Sequence, residues 1–311
     1  MSELIKLLGG TATAWPLAVR AQTAQPVVGY LAQGSPEGTA DTVQLRAVVV
    51  EYRWAEGRND KFPALLADLI GRQVAVIVAP TTPAVLAAKT ATNTIPIVFF
   101  TAGDPVDLGL VTSLNLPDRN LTGATTLTLE VGPKWLQLLH DTVPSATSLA
   151  LLINPTSQNL AETQARDMQA AAHASGLQLH VLRASTVADL DTVFASIAQL
   201  GAGGLVISSD SFFFGQSKQL ATLAVRHAVP TIFGFREFVT AGGLMSYGGS
   251  LTESFRWVGI YTGQILKGAK PADLPVQRST KIELFINLQT AQALGIEVPP
   301  TLLTRAEDVI E

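Results

Sequence analysis

After Pro26 the chain alternates between short apolar, β-branched runs and longer amphipathic stretches. Runs of the first kind predict strands over Val27–Ala32, Val48–Arg53, Val74–Ala79, Ile95–Phe100, Leu149–Asn154, Leu177–Leu182, Gly204–Ser208, Pro230–Gly234 and Leu244–Tyr247. Stretches of the second kind predict helices over Lys61–Arg72, Pro83–Thr92, Val131–Thr142, Ala161–Ser175, Val187–Leu200, Ser217–His227 and Leu251–Leu266. A run such as Val74-Ala75-Val76-Ile77-Val78 has no polar side, so a strand built from it is buried on both faces. That is the mark of a parallel sheet covered by helices on each side. The class is α/β.

An approximate internal repeat organises these elements. Val74–Ala79, a Thr/Pro loop, a helix and the proline-marked Ile95-Pro96-Ile97-Val98-Phe99 form one unit. Gly204–Ser208, a Ser/Asp loop, a helix and Val229-Pro230-Thr231-Ile232-Phe233 form another. Two such halves predict two doubly wound, Rossmann-like lobes whose strand-end loops face one shared cleft. One stretch departs from the pattern. Only Gln33–Ala47 separates the first two strands, and its first residues, Gln33-Gly34-Ser35-Pro36-Glu37-Gly38, are turn-forming. A parallel crossover normally carries a helix long enough to cover the sheet, so the first crossover helix is expected to be stunted or missing.

Composition narrows the function. Of 311 residues, 47% are hydrophobic and 15% charged, which excludes a disordered chain. The net charge of −4 comes with scattered basic residues, so nucleic acid is not an expected partner. With no cysteine there is no disulfide, thiolate metal site or Cys nucleophile. His140, His173, His180 and His227 show no metal-ligand spacing, and no cofactor is expected. Residues 1–21 read as a degraded export signal: Lys6, the apolar Leu7-Leu8-Gly9-Gly10 onward, and Val19-Arg20-Ala21 before Gln22 as an A-x-A-like cleavage site.

The loops after the strands are the candidate chemistry. Thr81-Thr82-Pro83-Ala84 opens a helix with a good cap and a proline in the first turn, leaving N–H groups suited to a carboxylate. The rival is a capped helix and nothing more. In Ala102-Gly103-Asp104-Pro105, Gly103 permits an unusual backbone angle, and Asp104 either accepts from a ligand or caps its own turn. Asn154-Pro155-Thr156-Ser157-Gln158-Asn159 and Ser208-Ser209-Asp210-Ser211 end two later strands. Phe212-Phe213-Phe214 follows, and one of its rings either stacks on a ligand or plugs the lobe interface. Arg236 either clamps a ligand carboxylate or pairs with Glu237. No phosphate-binding GxxxxGK[ST], GxGxxG, GxSxG or HExxH motif occurs, which favours binding over catalysis.

Several stretches resemble the substrate-binding proteins of ABC transporters, of the tryptophan/tyrosine type. They include Leu7-Leu8-Gly9-Gly10, Glu51-Tyr52-Arg53-Trp54-Ala55-Glu56-Gly57, Ile95-Pro96-Ile97-Val98-Phe99 with Gly103-Asp104-Pro105-Val106, and Leu151-Leu152-Ile153-Asn154-Pro155. Arg236-Glu237-Phe238, Gly242-Gly243-Leu244-Met245-Ser246-Tyr247-Gly248 and Ile265-Leu266-Lys267-Gly268-Ala269-Lys270-Pro271 continue the match. The resemblance implies a type I periplasmic-binding fold with a three-segment hinge near Thr122–Thr126, Tyr247–Ser250 and Pro271–Gln277. It divides the chain into a signal peptide (1–21), an N-lobe (27–124 with 248–272) and a C-lobe (125–247 with 273–311). It implies ligand contacts at Ser35, Thr82, Ala84, Asp104, Asn154, Asn159 and Asp210, to which the loops themselves add Phe212 and Arg236.

The resulting expectation is a periplasmic, monomeric receptor that traps an amino acid or aromatic carboxylate and delivers it to an ABC permease. The segment Ser2-Glu3-Leu4-Ile5-Lys6 lacks the twin arginines common in the family, leaving the twin-arginine and general export routes both open. A shortened first crossover would make the N-lobe less stable. Two rivals are a sensor of the same fold that feeds a signalling receptor, and a doubly wound α/β enzyme acting through Asp104 or Asp210.

Overall fold

The computed structural model describes residues 25–33, 48–117, 119–126, 128–279 and 281–311. The export-signal stretch, Ser35 and the shortened first crossover lie outside the described residues.

The chain first lays down β1 (Val27–Ala32), β2 (Val49–Trp54), α1 (Phe62–Gly71), β3 (Val76–Ala79), α2 (Thr82–Ala91), β4 (Ile97–Thr101) and β5 (Leu121–Thr125). It continues through α3 (Gly132–Thr142), β6 (Ser148–Ile153), α4 (Gln158–Ala174), β7 (Gln178–Arg183) and α5 (Val187–Leu200). Then come β8 (Leu205–Ile207), α6 (Ser211–Gly215), α7 (Ser217–Arg226), β9 (Thr231–Phe233), α8 (Arg236–Thr240) and β10 (Met245–Gly249). The last part holds α9 (Leu251–Leu266), β11 (Gln277–Arg278), β12 (Ile282–Asn287), α10 (Leu288–Ala293), α11 (Pro300–Leu303) and β13 (Asp308–Ile310).

These strands form two sheets, ordered β11-β5-β4-β3-β1-β2 and β13-β12-β10-β9-β8-β6-β7. Within each, the first five strands repeat one order: β2-β1-β3-β4-β5 in the first lobe and β7-β6-β8-β9-β10 in the second. The internal repeat is therefore architectural. In an order of this kind the strands on either side of the first one leave in opposite directions, which opens a crevice at their carboxyl ends.

The central strands of each sheet, such as β3, β4, β6 and β8, are buried on both faces, which is why they carry unbroken apolar runs. In the first, Leu31, Ile77 and Phe99 pack under Phe62, Leu66 and Leu69 of α1 and Val85 and Ala88 of α2. Its opposite face, with Tyr30, Val78 and Val98, packs under Val258, Tyr261 and Ile265 of α9. In the second sheet, Leu149, Leu151, Val206 and Ile232 meet Trp135 and Leu139 of α3 and Met168 of α4. Leu152, Ile207 and Phe233 face Phe194 of α5, Leu220 of α7 and Phe238 of α8.

The chain passes between the sheets three times. It leaves β5 for α3, leaves β10 for α9 through Ser250, and leaves β11 for β12 beyond Arg278. The third passage was expected over Pro271–Gln277, with the C-lobe resuming at residue 273. It falls later because Gln277 and Arg278 pair with Ala124 and Thr125 as an extra strand of the first sheet.

The apolar pattern also missed β5, β11, β12 and β13 and the short helices α6, α8, α10 and α11. β5 reads Leu-Thr-Gly-Ala-Thr, yet all five residues are buried. Its threonines tolerate burial because Thr122 Oγ1 donates to the Leu274 carbonyl (2.7 Å) and Thr125 Oγ1 to the Gly103 carbonyl (3.0 Å).

Candidate ligand-binding cleft

In the first lobe, Thr81 caps α2 from an extended conformation, its hydroxyl accepting from the Ala84 N–H at 3.4 Å. Pro83 occupies the first turn, where its missing N–H leaves no intrahelical bond unmade. Thr82 is buried, and its hydroxyl shares a hydrogen bond of 2.7 Å with that of Thr101 at the end of β4. Ala84 is fully buried, so it offers a ligand only its backbone, and the cap already holds that N–H.

Asp104 Oδ1 accepts from the N–H groups of Val106 (2.6 Å) and Asp107 (3.4 Å), so it fastens its own turn. Gly103 does not use the unusual backbone angle open to it, since its φ is not positive. Its N–H instead donates to Thr101 Oγ1 at 3.2 Å.

The second lobe brings distant residues together more tightly. Asn154, buried after β6, donates through Nδ2 to Asp210 Oδ1 at 2.8 Å. Its own Oδ1 accepts from the Thr156 N–H (3.0 Å) and hydroxyl (2.9 Å), which fixes the amide's orientation. Asp210 caps α6, Oδ1 also taking the Phe212 N–H at 2.9 Å and Oδ2 taking the Ser157 hydroxyl at 3.0 Å. Burial pushes the Asp210 carboxyl above its ordinary range, and the donors from Asn154, Phe212 and Ser157 only partly offset it. A cation placed against this carboxyl would oppose that shift.

The phenylalanine run divides its labour. Phe213 is fully buried, Phe214 meets Phe235 edge-on at 5.7 Å, and Phe212 stays half-buried beside Phe213. Asn159 lies in the first turn of α4.

Of the two readings of Arg236, the structure does not bear out the pair with Glu237. Its guanidinium pairs with Asp308 of β13 at 3.0 Å and lies 4.7 Å over the Phe285 ring, not on Glu237. It lines a cavity of about 270 Å³ with Glu237, Ser246, Ser250 and Glu283 beside the second passage between lobes. Burial raises the Glu237 carboxyl, with the Arg236 charge opposing.

Sequence reasoning passed over Gln33, Ser157 and Ser211. Ser157 and Ser211 flank the chosen asparagine and aspartate and looked like ordinary loop residues. Gln33 sits in a run of turn formers, and only the contact of its amide with the Ser211 hydroxyl singles it out. Among the described residues no cluster of His, Asp and Glu suits a metal ion.

Two lobes of repeated strand order, with polar loops gathered at the strand ends and three passages between them, define a hinged binding protein. The family model for the ABC transporter substrate binding protein matches residues 25–310, and the chain belongs to that family. It is a binding protein and not an enzyme. A tyrosine-binding protein of Clostridioides difficile is 23% identical over 251 residues, 80% of this chain and 71% of that protein. A conserved domain protein of Vibrio cholerae matches with a TM-score of 0.79 at 23% identity, over 92% of this chain and 99% of that one. An ABC domain from Streptococcus pneumonia in complex with L-Trp matches with a TM-score of 0.77 at 22% identity, over 92% of this chain and all (100%) of that one.

Proposed function

We propose that this protein is the exported receptor of an ABC importer, and that it captures an amino acid with an aromatic side chain. The observation that carries this is the Asn154–Asp210–Ser157 cluster, a half-buried carboxyl whose hydrogen-bonded shell holds no positive partner among the described residues. A ligand ammonium supplies one, and the charge pair gains from the low local dielectric. The first turn of α2 at Thr82 would take the carboxylate, with Ala84 packed beneath it and the turn that Asp104 fastens beyond. Phe212 supplies a half-buried ring for the side chain. The relatives named for tyrosine and bound to L-Trp support the same class of ligand.

On this reading the lobes close about the three passages and the closed form docks on a membrane permease. Export through residues 1–21 would place it outside the cytoplasm, and no described helix is long and apolar enough to cross a membrane itself. Titration calorimetry with L-tryptophan, L-tyrosine, L-alanine and a neutral sugar tests the proposal. Binding of an aromatic amino acid in preference to the other two supports it, and heat from the sugar alone overturns it.

A further inference from the structure

Gln33 stands at the carboxyl end of β1 and is 2% exposed. Its side-chain oxygen accepts from the hydroxyl of Ser211, the first residue of α6, so a first-lobe side chain touches the second lobe directly. Ser211 follows Asp210, which Asn154 and Ser157 hold in place. The other end of the Gln33 amide, Nε2, is buried without a hydrogen-bond partner among the described residues. A buried donor left unpaired is unfavourable until an acceptor arrives.

The backbone at Gln33 is anchored independently of the cleft. Its carbonyl accepts the Gly57 N–H at 2.7 Å, one step beyond the Ala55-to-Ala32 bond of 2.9 Å. Glu56 and Gly57 adopt left-handed angles, φ 53° and 76°, and so curl the end of β2 back onto β1. Nothing lies within 4 Å of a Cβ built on Gly57, so glycine is there for its backbone angle and not for space. Lys61 pairs with Glu56 and fastens the same turn. The side chain is therefore held from its own lobe while its head group reaches the other.

We propose that Gln33 is a positioning and ligand-reading residue: it bridges the two lobes through Ser211 and presents its amide N–H to an oxygen of the bound molecule. The second half rests on the amino-acid reading given above, and the oxygen it meets is a carboxylate or carbonyl. The bridge is a property of the protein alone.

The absence of cysteine allows clean distance measurement. Spin labels on Leu86→Cys in α2 and Val187→Cys in α5, both at exposed positions, report the separation of the lobes. Without ligand, Gln33→Leu and Ser211→Ala should each shift the distance distribution to longer values, and the double variant should shift it no further. Unchanged distances, or shifts that add in the double variant, overturn the bridge. Calorimetry with L-tryptophan and L-tyrosine should show about tenfold weaker binding for Gln33→Leu and a smaller loss for Ser211→Ala. Full affinity in Gln33→Leu overturns the ligand contact. A wild-type protein that binds neither amino acid removes the amino-acid reading and that contact with it, while the ligand-free distances still decide the bridge.

Discussion

Asn154 and Asp210 are 56 residues apart in sequence, and an amide-to-carboxylate hydrogen bond of 2.8 Å joins them at the ends of β6 and β8. Neither side chain is free to turn, because Asn154 Oδ1 is held by Thr156 and Asp210 Oδ2 by Ser157. The result is a fixed carboxyl in a fixed frame, which is what selective capture of an ammonium requires.

Replacing Asp210 with Asn keeps the shape and removes the charge. Affinity for L-tryptophan or L-tyrosine should fall by at least about tenfold, since a charge-assisted bond is lost. Calorimetry on the folded variant checks it, and an unchanged affinity sends the ammonium elsewhere.

Two carboxyls should respond to acid in opposite senses. Burial raises Asp210, so its contribution to stability is complete below the ordinary carboxylate value and disappears as pH climbs through the raised one. Asp189 is lowered, first by the backbone N–H of Ser185 and then by that of Thr186, each at 2.9 Å in the capping box of α5. Its contribution is present above the ordinary value and fades as pH drops through the lowered one. Melting curves of Asp210→Asn and Asp189→Asn against wild type should therefore diverge: the first loses most relative to wild type in acid, the second near neutrality.

Trp135 is fully buried and donates its indole N–H to the Tyr247 carbonyl at 2.6 Å. It thereby ties the start of the second lobe to the strand that leads into the second passage. Trp135→Phe strands that acceptor, and urea unfolding should show a loss of about 1–3 kcal/mol.

Gly248 answers to space. A Cβ there would sit 2.1 Å from the Gly234 carbonyl oxygen, so backbone must move to admit even alanine. Gly248→Ala should cost about 1–3 kcal/mol and alter lobe closure, read by urea unfolding and by small-angle scattering with and without L-tryptophan.

Arg236→Ala is expected to be mild. Its ion pair with Asp308 has both side chains about half exposed (53% and 50%), worth under about 1 kcal/mol. Amino-acid affinity should stay within about twofold of wild type, and a larger loss would return Arg236 to the ligand.

What the sequence disclosed followed its apolar periodicity. The strands that form the centres of both sheets, and helices such as α5 and α9, carry unbroken or three-four-spaced apolar residues, so they were legible. β5 was not, because its burial rests on threonine hydroxyls satisfied by carbonyls far along the chain, a relation no local window contains. β11 was hidden for a similar reason: two polar residues become a strand only by pairing with Ala124 and Thr125, far off in sequence. In the cleft, Asn154 and Asp210 stood out as polar residues at strand ends, whereas Gln33 could be recognised only once β1 and α6 were in place.

α9 follows the last parallel strand of the second sheet, yet it covers the first one. The earlier lobe therefore cannot finish its core from its own early residues. While the ribosome is still making the middle of the chain, Val76, Val78, Val98 and Phe100 lack the cover that α9 later gives them. Folding must wait until residues 251–278 emerge, and a truncation after residue 124 should yield an aggregating fragment, not a smaller stable lobe. An interlaced topology thus keeps the whole chain pliable through synthesis, which would suit the export proposed above.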